Sequence, residues 1–153
     1  HELRDVNLEK AIPAEKIDNK MKGLKWITPQ FPKDPSEEIV NILEIKKILD
    51  KEENFILMSN YTFLSVVLDK KTNLPTRWFT FDGTDFPRTD NKYKKMYTSL
   101  FKKIIKENNI DKIFVIKPVT LKEVYDYVEK KCFRETNLNN KIIKLDILDC
   151  EKI

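Results

Sequence analysis

The thirteen residues TRWFTFDGTDFPR, positions 76–88, hold one Trp, three Phe, two Asp, two Arg and one of the chain's two glycines. Asp82 and Asp85 could hold a cation or act as a base. Arg77 and Arg88 offer planar donor forks to an anionic group, and Trp78 offers a face on which a sugar ring can stack. A plainer account competes with this one. Asp82-Gly83 is a common turn pair, Asp85 can cap a turn, and Trp78 and Phe79 enter the core as strand residues. TRWFTFD alternates large and polar side chains, so the stretch reads first as a strand and its turn, with a site as the alternative.

Other chemistries lack their residues. Two glycines cannot furnish a phosphate-binding glycine loop. The single histidine is His1, which disfavours a His-based metal site and a Ser/His or Cys/His nucleophile pair. No metal site and no cofactor are therefore expected. Cys132 and Cys150 are either two buried thiols or a disulfide closing the last part of the chain, which would contribute about 3 kcal/mol by loop-closure entropy. Their positions alone leave both open.

The elements that must position these residues follow from periodicity. Residues 1–23 are polar, broken by Pro13 and closed by Gly23, and read as a lead-in with a short helix around 13–22. LKWIT (24–28) is a brief strand. DPSEEIVNILEIKKILDKEE opens a helix, with Pro35 in the first turn and the acids Glu37 and Glu38 at the positive end of the dipole. Its buried stripe is Ile39, Ile42, Leu43, Ile45, Ile48 and Leu49. NFILMSN (54–60) and KIFVIK (112–117) are continuous apolar runs, as in strands buried on both faces. YTFLSVVLDK reads as a helix, and NKYKKMYTSLFKKIIKENN (91–109) as the strongest one. TLKEVYDYVEKK (120–131) begins with a capping box, Thr120 and Glu123. KIIKLDILDC (141–150) is a last strand, placed at an edge and free to run either way.

This alternation predicts an α/β fold: an open three-layer sheet, mostly parallel, with helices on both faces and room for an antiparallel edge strand. The organisation expected is the lead-in 1–23 and a single α/β domain over 24–153. In such sheets ligands sit beyond the carboxyl ends of the strands. That rule nominates Thr28 and Gln30, then Ser59, Asn60 and Tyr61, then Asp82, Gly83 and Asp85, then Lys117 and Thr120.

The charge balance, 29 basic against 25 acidic residues, is spread along mixed helices, so nucleic acid is not an expected partner. No run approaches the roughly eighteen apolar residues of a membrane helix.

Four pieces together resemble a known family: VNLEKAI…KIDNKMKGLKWIT, FILMSNYTFLSVVL, IDKIFVIKP and CFRETNLNNKIIKLDILDC. The pattern is similar to the soluble C-terminal domain of bacterial multi-spanning membrane glycosyltransferases of the GT-C type, relatives of the dolichyl-phosphate-mannose-protein mannosyltransferases. The resemblance covers nearly the whole chain but contains no catalytic signature. It implies a periplasmic location at the inner membrane and a polyprenyl-phosphate-linked sugar donor. It also implies a catalytic acid in the transmembrane portion of the same chain, with none in this domain. An oxidising compartment would favour a Cys132–Cys150 disulfide, and residues 1–23 would follow the last membrane helix. On this reading the domain positions an acceptor or braces the membrane core, with a glycan or lipid-linked sugar as partner. Asn60, Tyr61, Arg77, Trp78, Asp82 and Asp85 would form the contact surface. The alternative is a stand-alone small-molecule or nucleotide-sugar binding protein or enzyme working at Asp82 and Asp85.

Overall fold

A computed structural model describes residues 8–27, 34–74, 76, 87 and 90–148. The strand expected over TRWFTFD, with Arg77, Trp78, Asp82 and Asp85, lies outside the described residues, as does Cys150. The elements are β1 (Ile12–Pro13), β2 (Lys25–Trp26), α1 (Pro35–Leu49), β3 (Phe55–Met58), α2 (Leu64–Leu68), α3 (Lys94–Glu107), β4 (Lys112–Ile116), α4 (Leu121–Tyr125), β5 (Phe133–Asn137) and β6 (Ile142–Ile147). The chain divides into two compact units, one of His1–Lys51 with Val66–Lys70, the other of Glu52–Ser65 with Lys71–Ile153.

In the first unit β1 and β2 pair antiparallel, Ile12 opposite Trp26. The short helix expected around 13–22 is replaced by two 3-10 turns, Ala14–Lys16 and Asn19–Met21. Asp18 causes the break: it is extended, and its carboxylate accepts the Lys20 N–H at 3.0 Å, capping a new turn. The same carboxylate meets the Lys46 ammonium at 2.6 Å. That hydrogen bond, with the one from Lys20, holds the Asp18 carboxyl below its ordinary value. Gly23, at φ 85°, takes the left-handed conformation that turns the chain into β2.

Helix α1 starts as its sequence requires. Asp34 accepts the Ser36 N–H at 3.0 Å, Pro35 occupies the first turn, and Lys46 and Lys47 stand at the negative end of the dipole. Ile39, Ile42, Ile45 and Leu49 are buried, whereas Leu43 is exposed, so the apolar stripe is narrower than expected. Glu38 is fully buried and accepts the Trp26 indole N–H at 2.9 Å, which gives that carboxylate a partner.

The second unit is built on a four-stranded sheet in the order β3–β4–β6–β5. β3 and β4 are parallel, with Phe55 opposite Lys112 and Met58 opposite Val115. β4 with β6 and β6 with β5 are antiparallel. Among the described residues the sheet is therefore mixed, with one parallel pair, and does not show the mostly parallel arrangement expected from the sequence. The reason lies in the segment FRETN, which was not expected to be a strand. Four of its five residues are exposed, so it shows no apolar pattern. It forms a hairpin with β6, closed by Asn139, whose Oδ1 accepts the N–H groups of Lys141 (2.8 Å) and Ile142 (2.9 Å). β5 takes the edge, and β6, expected at an edge, becomes an inner strand.

One sheet face, with Ile56, Met58, Ile113, Val115 and Leu145, packs against Tyr97, Phe101 and Ile105 of α3 and against Val124, Tyr127 and Val128. The Tyr97 and Tyr127 rings lie 4.8 Å apart, and Phe101 lies 6.0 Å from Tyr127. Lys94 and Lys95 start α3 against its dipole, its first turn has no acid, and Tyr93 provides no side-chain cap. The buried stripe therefore holds this helix in place. The capping box of α4 forms as expected, the Glu123 carboxylate accepting the Thr120 N–H at 2.5 Å. The helix itself ends at Tyr125, short of the expected 131.

Phe101 tests this assignment, being fully buried between sheet and helix. Phe101→Ala is expected to lower stability in urea unfolding by about 3–5 kcal/mol. Met96→Ala, on the exposed side of the same helix, should cost no more than about 0.5 kcal/mol.

Candidate functional site

β3 is apolar to its end and stops where polar residues begin. Ser59 is almost fully buried, and its hydroxyl accepts the Tyr61 N–H at 2.9 Å, turning the chain away from the sheet. Tyr61 O then accepts the Leu64 N–H at 3.1 Å and Thr62 O accepts the Ser65 hydroxyl at 2.9 Å, which starts α2. The Tyr61 ring stands edge-on to Phe63 with centroids 5.9 Å apart.

The opposite wall is the segment after α2. Thr72 O accepts the Leu57 N–H at 3.1 Å, so this segment runs along the outer side of β3. Asn73 adopts φ 54°, which asparagine tolerates better than most residues. Its Nδ2 donates to Phe55 O at 2.9 Å and Lys71 O at 3.3 Å, while its buried Oδ1 has no partner. Lys71 Nζ donates to Asn108 Oδ1 at 2.9 Å.

Between these walls lies a concavity of about 540 Å³, within the roughly 300–1,000 Å³ typical of small-molecule sites. Its polar lining is Ser59, Thr62, Ser65, Thr72, Asn73 and Thr76, with Lys71. Leu57, Leu74 and Tyr61 supply apolar surface. The described lining thus offers hydroxyls, one amide, one ammonium and one aromatic ring, without a carboxylate, imidazole or thiol. The hydroxyls and the amide can both donate and accept, and the ammonium donates, so together they can orient a polyhydroxylated ligand.

Of the residues nominated from the sequence, Ser59 and Tyr61 line this concavity and Asn60 sits between them in the same turn. Thr28, Gln30, Arg77, Trp78, Asp82, Gly83 and Asp85 lie outside the described residues. Thr62, Ser65, Thr72, Asn73 and Thr76 were not nominated. The left-handed Asn73 marks this segment, but small polar residues carry no periodicity that would reveal a second wall. Among the described residues no group of three His, Cys, Asp or Glu side chains is placed to hold a metal ion. No helix among them is long and apolar enough to cross a membrane. Cys132 is buried beside β5, and the described residues contain no free cysteine thiol.

Neither a protein-family model nor a curated protein nor a solved structure matches the chain.

Proposed function

We infer that this chain is a carbohydrate-contacting accessory domain of a membrane glycosyltransferase. It would lie on the periplasmic face of the inner membrane, with catalysis carried out in the transmembrane portion of the same protein. The observation that carries the carbohydrate part is the lining of the concavity at the end of β3: hydroxyls and an amide beside the Tyr61 ring, with the Lys71 ammonium held by Asn108 and no carboxylate, imidazole or thiol in the described lining. These groups suit holding a sugar through hydrogen bonds and ring stacking. The resemblance in sequence supplies the parent enzyme and a polyprenyl-phosphate-linked donor. The domain's part is then to hold the acceptor or the sugar of the donor while the membrane core reacts.

Sugar binding is measured by titrating the 153-residue protein with methyl glycosides and short oligosaccharides in a calorimeter. Tyr61→Ala should weaken the interaction at least about fivefold by removing the stacking face, and circular dichroism should remain unchanged. Unaltered affinity in a folded Tyr61→Ala protein would overturn the assignment of the site.

The oxidising location implies a bond between Cys132 and Cys150, a pairing consistent with the lack of a free thiol among the described residues. The Cys132→Ser/Cys150→Ser protein should lose about 3 kcal/mol of stability, and the unreduced wild-type protein, unfolded in denaturant, should give no reaction with a thiol reagent. Two reactive thiols under those conditions would remove the disulfide and weaken the periplasmic placement.

A further inference from the structure

Helix α3 buries one stripe, Tyr97, Phe101 and Ile105. On its outward side Tyr93, Met96 and Leu100, at i, i+3 and i+7, fall on one line along the helix surface. These three large side chains are 53, 69 and 43% exposed. Further round the exposed surface of the helix runs a basic line of Lys92, Lys95, Lys102 and Lys106, all exposed. The helix holds five lysines and one acid, Glu107, which faces Lys103 at 3.7 Å. Helix α1 is the contrast, since acids in its first turn balance lysines in its last. A concavity of about 600 Å³ opens among Lys92, Lys94, Lys95, Thr98 and Lys102, with Asp126 at its border. The Lys92 ammonium stands over the Tyr93 ring, 4.9 Å from its centre.

We propose that this outward face of α3 is a docking surface for an anionic lipid bilayer. The lysines match the negative headgroups. Met96 and Leu100 enter the boundary of the acyl chains, and Tyr93 stays at headgroup level with its ring apolar and its hydroxyl wet. Nucleic acid would use the lysines but gain nothing from Met96 and Leu100, whereas a bilayer surface uses both lines at once. Nor does the inference depend on the concavity at β3, which shares no residue with this face.

Co-sedimentation with sucrose-loaded vesicles tests the proposal. The wild-type protein should sediment with vesicles of phosphatidylcholine mixed with phosphatidylglycerol and stay in solution with phosphatidylcholine alone. Lys95→Glu/Lys102→Glu/Lys106→Glu should reduce partitioning at least about tenfold, and the matching triple Arg variant should retain it. Met96→Ser/Leu100→Ser, at exposed positions, should reduce it several-fold while circular dichroism stays unchanged. Failure to sediment with the mixed vesicles would overturn the proposal. So would binding unaffected by Met96→Ser/Leu100→Ser and competed away by a single-stranded oligonucleotide, which would mark a general polyanion surface.

Discussion

The parallel pairing of β3 with β4 is the constraint from which the rest of the second unit follows. Both strands are short and apolar on both faces, and every residue of β3 and four of the five in β4 are buried. Two such strands are stable only when their backbone groups pair with each other and their side chains are covered. A parallel pair cannot be closed by a tight hairpin, so the long connection through α2 and α3 follows from it. α3 then returns across the sheet with Tyr97, Phe101 and Ile105 inward. The Phe55 and Phe114 rings meet edge to face at 5.5 Å on the opposite face of the same two strands.

The concavity follows from that pairing too. β3 ends abruptly at Met58, and the backbone turns off the sheet through Ser59 and Tyr61. The segment after α2 comes back along the outer side of β3, tied by Thr72 O and Asn73 Nδ2. Two irregular segments, one continuing from the end of β3 and the other hydrogen-bonded along it, leave a space between them whose polar lining is mainly serine, threonine and asparagine. The polarity of that space reflects the demands of turn chemistry, since residues that satisfy backbone groups in turns also hydrogen-bond a ligand well. Binding surfaces commonly arise in this way, on loops held by a rigid sheet.

Much of this framework could be read in the chain itself. The runs NFILMSN and KIFVIK declared buried strands because nothing polar interrupts their apolar centres, and DPSEE and the Thr120–Glu123 pair declared helix starts because Pro and acids suit a first turn and Thr with Glu three residues on makes a capping box. FRETN was not legible, because an edge strand exposed on nearly all its residues carries no apolar alternation and depends on β6 for its existence. Missing it made the sheet look mostly parallel and placed β6 at the edge. In the lead-in, local propensity suggested a helix, but the Asp18 carboxylate, drawn to the Lys20 N–H and the Lys46 ammonium, made a cap instead. Of the site, Tyr61 was legible from its position after a strand. The wall around Asn73 was not, because it is defined by contacts with β3 that join residues far apart in the chain, Thr72 to Leu57 and Asn73 to Phe55.

The central claim is that the end of β3 holds a carbohydrate. It is tested most directly by an amide chemical-shift titration of the isotopically labelled protein with a short oligosaccharide. The account predicts saturable shifts clustered at Ser59–Ser65 and Lys71–Leu74, with the amides of β5 and β6 unmoved. Shifts centred elsewhere, or none at saturating sugar, would contradict it.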